Sequence, residues 1–165
     1  MMPPQPPVPP SLPLVAAPPP PPSLRHLRVF LAAIETGRVT AAAEACRISQ
    51  PAASQALAGL EARAGTALLH SGRDGLSATE VGAAYAARVR LALARLDAAL
   101  NAAAPRLVLT ATRGQLVALI AVRDAESFTL AARKLGLTQP SVHRAIAQIE
   151  AEVGKPLFAR LGHWL

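Results

Sequence analysis

The stretch Ile48-Ser49-Gln50-Pro51-Ala52-Ala53-Ser54-Gln55 returns 89 residues later as Leu137-Thr138-Gln139-Pro140-Ser141-Val142-His143-Arg144. Each copy places a hydroxyl residue directly before Gln-Pro. A hydroxyl caps the free N–H groups at the start of a helix, and proline is tolerated in the first helical turn. A glycine ends each pattern, at Gly65 and at Gly154. We therefore expect two similar helices that both begin with small and polar side chains.

The same offset aligns the rest of the chain with itself without gaps. Ala42-Ala43 falls on Ala131-Ala132, and Glu61-Ala62 falls on Glu150-Ala151. Apolar positions also coincide, as where Phe30 meets Leu119. Chance explains some alanine matches in so alanine-rich a chain, but it does not easily explain Gln-Pro, Glu-Ala and glycine in one register. The repeat predicts two tandem copies of one fold.

The residues around the first copy predict a helix-turn-helix. Ser23 caps a helix from Leu24 to about Glu35, which carries one apolar stripe and ends at Gly37. A short helix, residues 40–46, precedes a turn and the Ser49-capped helix. The turn-rich residues 70–75 predict a hairpin, or wing. The expected fold is mainly α, with two winged helix-turn-helix units in tandem.

A long helix is predicted between the two copies. Thr79 caps it, Glu80 suits its dipole, and Pro105 breaks it after about Ala104. At about 25 residues it would span roughly 37 Å, too long for one three-helix unit to cover. Its apolar stripe is therefore expected to pair with a second chain; the alternative is packing on the second copy within one chain. The stripe consists of Val81, Tyr85, Val89, Leu93, Leu96 and Leu100.

Composition and charge set the domain boundaries. Twelve of the 16 prolines of this 165-residue chain lie in residues 1–22, which predicts a polyproline or disordered tail. The expected domains are this tail, a first unit at 23–78, a linker helix at 79–104 and a second unit at 105–165. The net charge of +7 falls entirely after the tail, which is typical of a protein with a nucleic-acid partner; a merely solvated basic surface is the equally open alternative. No signal or membrane segment is apparent, so we expect a cytoplasmic, nucleoid-associated protein.

Several chemical functions find no support in the sequence. The single cysteine, Cys46, excludes a disulfide scaffold and is expected to be a small apolar packing residue. The four histidines lack metal-ligand spacing. We find no nucleophile–base pair, phosphate-binding glycine loop or paired catalytic carboxylates; Glu61 and Glu150 are expected in ion pairs. The prediction is a non-enzyme with no cofactor and no metal.

The motifs of both copies resemble the LysR-type transcriptional regulators. The first copy contributes Leu27-Arg-x-Phe30, Thr40-x-Ala42-Ala43, Ile48-Ser-Gln-Pro-Ala52, Leu60-Glu61, Gly65 and Thr79-Glu-x-Gly82. The second contributes Ser127-Phe-Thr129, Ala131-Ala132, Leu137-Thr-Gln-Pro-Ser141, Ile149-Glu150, Gly154-Lys-Pro-Leu-Phe158 and Arg160. The resemblance implies a winged helix-turn-helix that binds double-stranded DNA as a homodimer, with the long helix as the dimer contact.

The resemblance also implies which residues touch DNA. In the first copy they are Thr40, Ser49, Gln50, Pro51, Ala52, Ser54 and Gln55, with Arg73 as the counterpart of a wing arginine that enters the minor groove. In the second copy they are Thr129, Thr138, Gln139, Pro140, Ser141, His143 and Arg144. Glutamine suits adenine and arginine suits guanine, so Gln50, Gln139, Ser54 and Arg144 are expected to provide selectivity.

The sequence departs from the LysR pattern in four ways. The second copy stands where the family has its effector-binding domain, so no small-molecule effector site is expected, and we expect a second wing truncated at Leu165. Arg38-Val39 stands where the second copy has Ser127-Phe128, which weakens a helix cap. Leu69-His70-Ser71 replaces the Phe-x-Arg of residues 158–160. The first copy is therefore expected to bind DNA more weakly or to be partly structural; the alternative function is a fragment or interaction module without regulatory activity of its own.

Overall fold

A computed structural model of the chain describes residues 21–73 and 75–158. Nearly all of the expected proline-rich tail, and the end of the second wing with Arg160, lie outside these residues. The described part is mainly α and contains one small sheet. Its elements are α1 Leu24–Thr36, α2 Val39–Ala45, α3 Gln50–Ala64, β1 Leu69–Gly72, β2 Gly75–Ala78, α4 Glu80–Ala103, α5 Leu107–Thr110, α6 Arg113–Ala125, α7 Phe128–Leu135 and α8 Gln139–Val153. The predicted fold class, winged helix-turn-helix units on a mainly helical chain, is confirmed.

Side-chain caps begin the helices where the sequence predicts them. The Ser23 Oγ accepts a hydrogen bond from the His26 amide at 3.2 Å, and the Thr79 Oγ1 accepts one from the Gly82 amide at 3.0 Å. Arg38 precedes α2 and provides no side-chain cap, whereas its counterpart Ser127 accepts from the Leu130 amide at 3.3 Å. The predicted weakness at the start of α2 is therefore confirmed.

The first hydrophobic core lies among α1, α2, α3 and the start of α4. Phe30 is its largest fully buried side chain, and its ring lies 5.5 Å from that of Tyr85 on α4. Strands β1 and β2 pair antiparallel, with Leu69 opposite Ala78, so the predicted hairpin is confirmed. The Leu76 amide donates to the Gly37 carbonyl at 2.8 Å, which fixes this wing against the end of α1.

A second core repeats the first among α6, α7 and α8. It is formed by Ala118, Ala121, Val122, Ala131, Ala132, Val142 and Ile146. A smaller cluster of Leu100, Leu107 and Ile149 lies between the two units and joins α4, α5 and α8. The linker helix therefore contacts the second unit as well as the first.

Backbone dihedral angles repeat with the sequence offset of 89 residues. Gly37 has φ of 68° and its counterpart Glu126 has φ of 49°. Arg47 has φ of 54° and its counterpart Gly136 has φ of 64°. Because left-handed φ is unfavourable for residues with a Cβ, shared values at aligned positions indicate one chain path in both copies.

Most of the apolar stripe of α4 is covered from within the chain. Tyr85 packs on the first core, and Val89 and Leu93 are 6% exposed. Leu96 and Leu100 pack into the cluster that α5 and α8 complete. Of the six stripe residues only Val81, 52% exposed, is open. Helix α5 folds back onto α4 and the second unit completes this cover, as the alternative of packing within one chain predicts. The pairing of two chains through this helix stays a prediction.

Candidate nucleic-acid interface

Helix α3 separates its buried and exposed residues along two faces. Ala53, Ala56, Leu57 and Leu60 are buried in the first core. The Ser49 Oγ caps the helix by accepting from the Ala52 amide at 3.4 Å. The other face begins with the exposed residues Ser49, Gln50, Pro51, Ala52, Ser54 and Gln55. These small side chains leave the first turn of α3 accessible to a large partner.

Helix α8 repeats this division with a different set of exposed side chains. Val142, Ile146 and Ile149 are buried, and Thr138 caps the helix by accepting from the Ser141 amide at 3.3 Å. The Thr138 and Ser141 hydroxyls also lie 2.8 Å apart. The exposed residues of this face are Thr138, Gln139, Pro140, Ser141, His143 and Arg144.

The charge of the two faces differs. The first two turns of α3 contain no charged residue, whereas α8 carries Arg144 one turn from its start. Arg133 and Lys134 end α7 beside the turn that leads into α8, and both are exposed. Cations attract a polyanion and supply most of the affinity in nucleic-acid binding. The second unit is therefore the more cationic at its helix-turn-helix.

The wing of the first unit presents a cation at its tip. Arg73 is exposed in the turn between β1 and β2. At the third residue pair from the tip, the Ser77 hydroxyl lies 2.9 Å from His70 Nε2 across the hairpin. All predicted DNA-contacting residues, from Thr40 and Arg73 in the first copy to Thr129 and Arg144 in the second, are exposed to solvent. Whether they contact DNA stays a prediction.

The two units match one family description separately. The model of the bacterial regulatory helix-turn-helix protein, lysR family, matches residues 24–83 and again residues 114–163. The chain belongs to the lysR family. Its two matches flank the C-terminal part of α4 and all of α5, so the family pattern occurs twice in one lysR-family chain.

Named regulators resemble this lysR-family chain over part of their length. The transcriptional regulator GalR of Pseudomonas putida is 31% identical over 152 residues, which cover 87% of this chain and 37% of that protein. The small neutral protease regulatory protein of Streptomyces coelicolor is 36% identical over 104 residues, 57% of this chain and 33% of that protein. A solved CbnR DNA-binding domain in complex with DNA shares 32% identity over 46% of this chain and 87% of that one, with a TM-score of 0.43. The chain thus spans about a third of the length of these two regulators.

Glu61 and Glu150 have a role that the sequence did not predict. The Glu61 carboxylate accepts hydrogen bonds from the Leu68 and Leu69 amides, at 2.9 and 3.0 Å. Glu150 accepts one from the Leu157 amide at 2.8 Å. In the described part of the chain these carboxylates therefore hold the segments that follow α3 and α8, in place of the expected ion pairs.

One aromatic residue at this surface was also missed. The ring of Phe128, the first residue of α7, stacks on the imidazole of His143 at 4.0 Å with an interplanar angle of 2°. Phe128 lies inside the Ser127-Phe-Thr129 motif, but only the contact across two helices reveals its part in this surface.

The described residues contain neither a cluster of metal ligands nor a helix suited to a membrane. Between residues 21 and 158, Asp74 aside, no group of three or more His, Cys, Asp or Glu side chains is placed to hold a metal ion. Among the helices of the same residues, none combines the length and the apolarity needed to cross a membrane.

Proposed function

We propose that this lysR-family chain is a transcriptional regulator that binds double-stranded DNA at preferred sequences, with α3 and α8 as its recognition helices. It would act in the cytoplasm on the nucleoid, as a homodimer, and without catalysis. We include in this proposal the division of the chain into domains after residues 22, 78 and 104. The main support is that α3 and α8 both begin with a side-chain cap and a solvent-exposed first turn, each within a helix-turn-helix unit.

The start of each recognition helix has the properties that the major groove requires. Free N–H groups in the first turn attract phosphate oxygens, and small side chains allow close approach. Gln50 and Gln139 follow the cap residues directly and are exposed. A glutamine can form two hydrogen bonds to adenine, and an arginine such as Arg144 can form two to guanine. Both helices therefore offer contacts that distinguish bases.

Unequal charge supports unequal roles for the two units. The cations near α8 would hold phosphates, while Arg73 in the first wing would reach the minor groove. The first unit has a neutral recognition helix start and a weaker cap on α2. We therefore assign most of the DNA affinity to the second unit.

A homodimer would use the face of α4 that this chain leaves open. With most of the predicted stripe covered, the exposed large apolar residues of α4 are Val81 and Leu91, at 52% and 55% exposure. Ala84 and Ala98 lie seven residues on either side of Leu91 and are exposed too. This spacing places the three on one helix face, and small residues let two helices approach closely.

DNA titration tests the first part of the proposal. Duplexes selected from a random pool are compared with scrambled duplexes over a range of salt concentrations. Arg144→Ala is expected to lower the log–log salt slope by about one and to relax base preference, because it removes a contact of the recognition helix. Arg123→Ala on α6 removes the same charge from another helix and is the matched control. Equal affinity of the wild-type chain for selected and scrambled duplexes would overturn the proposal.

Sedimentation velocity tests the homodimer. Leu91→Glu is expected to shift the chain to the monomer, because it places a charge in the proposed helix–helix contact. Leu109→Glu makes the same change at a residue that is 78% exposed on α5, and should leave the dimer intact. A wild-type monomer would refute this part. A dimer that binds all duplexes alike would instead support the alternative, an interaction module without independent regulatory activity.

A further inference from the structure

Four exposed or half-buried side chains form a connected group on the surface of the second unit. The ring of Phe128 stacks on His143, as described above. His143 Nε2 lies 3.4 Å from Gln139 Nε2, one turn earlier on α8. The Thr129 hydroxyl on α7 donates to Gln139 Oε1 at 3.2 Å. Both polar atoms of the Gln139 amide thus have a partner on the protein.

These partners leave part of the amide free. A glutamine amide has two N–H donors and an oxygen with two acceptor positions. In the tautomer that leaves Nε2 unprotonated, the His143 imidazole accepts one N–H of Gln139. The Thr129 hydroxyl occupies one acceptor position of the Gln139 oxygen. One donor and one acceptor remain for an outside partner. Adenine offers the complement in the major groove, with N7 as acceptor and the N6 amino group as donor.

The first unit has the glutamine without the group that holds it. Val39, Thr40, Gln50 and Ser54 stand at the corresponding positions. Val39 offers no aromatic ring, and Ser54 is too short to replace the imidazole. Within residues 21–73 and 75–158, the Gln50 side chain has no hydrogen-bond partner. The chain therefore contains two glutamines at the same helix position, one held and one unheld.

We propose that Phe128, His143 and Thr129 are positioning residues that hold Gln139 ready to read one adenine, so that the second unit, not the first, determines the base preference at this position. The inference rests on the proposed DNA binding. A side chain held before binding loses less conformational freedom when it binds. The Gln139 amide should therefore discriminate between bases more strongly than the Gln50 amide.

The first test needs no DNA. Side-chain amide order parameters of the full chain are measured by NMR relaxation. We expect the Gln139 amide to be more ordered than the Gln50 amide, and His143→Ala to bring Gln139 to the level of Gln50. Ser54→Ala, a truncation to alanine at the corresponding position of the first copy, should change the order parameter of neither amide. Equal mobility of both amides in the wild-type chain overturns the positioning role whatever the DNA result.

The second test replaces adenines one at a time by 7-deazaadenine, which lacks the N7 acceptor, in a duplex selected by the wild-type chain. Replacement of the adenine that Gln139 contacts should weaken wild-type binding about tenfold, because part of a two-bond base contact is lost. His143→Ala should abolish this sensitivity at that adenine alone and should weaken binding to the selected duplex more than binding to scrambled duplexes. If His143→Ala weakens binding to every duplex equally, or keeps the full sensitivity, the proposal is wrong. A wild-type chain without any base preference would refute the proposed function itself, while the amide measurement would still decide whether Gln139 is held.

Discussion

The guanidinium group of Arg28 on α1 donates two hydrogen bonds to the carboxylate of Asp97 on α4, with N–O distances of 2.8 and 2.5 Å. Arg28 also donates to the Val108 carbonyl on α5 at 3.1 Å. The hydrogen bond with Asp97 is the main reason that the pKa of Arg28 is raised, against the opposing effect of burial. One side chain therefore connects the first unit, the linker helix and the segment that leads into the second unit.

The Arg28–Asp97 pair should contribute measurably to stability. Both side chains are less than a third exposed, at 28% and 29%, and a two-bond geometry strengthens an ion pair. A double-mutant cycle of Arg28→Ala and Asp97→Ala in urea unfolding should give a coupling of about 1 kcal/mol. The exposed pair of Arg123 and Asp124 should give a coupling near zero and serves as the control. Equal coupling in both cycles would contradict the prediction.

Two helical glycines should respond to the same substitution in opposite directions. A Cβ on Gly82 would lie 1.9 Å from the Leu68 backbone carbonyl oxygen, whereas a Cβ on Gly59 would meet no atom within 4 Å. Gly82→Ala must push the wing away from α4, so we expect a loss of about 2 kcal/mol or more, as in overpacked cores. Gly59→Ala should add about 0.5–1 kcal/mol, because alanine favours the helix. If both substitutions shift the urea unfolding midpoint in the same direction, the prediction of opposite effects is refuted.

The local features of the fold were predictable from the sequence because each depends on a few neighbouring residues. The caps Ser23, Ser49 and Thr79, and the stop at Gly37, follow from hydrogen bonding and φ preference at one position. The repeat predicted the second unit, because its Gln-Pro, Glu-Ala and glycine positions keep their spacing. The exposed faces of α3 and α8 followed from the positions of their buried residues.

What the sequence did not predict depends on contacts between distant residues. Arg28 and Asp97 are 69 residues apart, and nothing near either one indicates the other. The apolar stripe of α4 was recognised, but its cover depends on how α5 turns back, which no periodicity encodes. Phe128 and His143 meet only because α7 and α8 pack at one angle. Packing between elements determines all three.

Replacing Arg47 by glycine should stabilise the first unit. Arg47 has φ of 54°, in the left-handed region, while Gly136 takes that conformation at the same place in the second unit. This conformation costs an L-residue roughly 1–2 kcal/mol, and the greater flexibility of unfolded glycine returns part of the gain. Arg47→Gly should therefore stabilise by about 0.5 kcal/mol, and Gly136→Ala should destabilise by about 1 kcal/mol. Thermal unfolding followed by circular dichroism measures both, and a lower midpoint for Arg47→Gly would count against the strain argument.

The Cys46 thiol should react slowly in the folded chain. Burial raises its pKa above the ordinary value of 9.0, against the opposing influence of Arg28 and Arg25. A raised pKa favours the neutral thiol on folding, so the stability this group contributes is present below pH 9 and is lost as the pH rises through the folded-state pKa.

Iodoacetamide reacts with the thiolate, and Cys46 is the single cysteine, so labelling reports on it alone. We expect the plot of labelling rate against pH to inflect at higher pH for the native chain than for the chain in urea. Restricted access would slow labelling equally at all pH values without moving the inflection. Coincident inflections would show that folding leaves the pKa of this thiol unchanged.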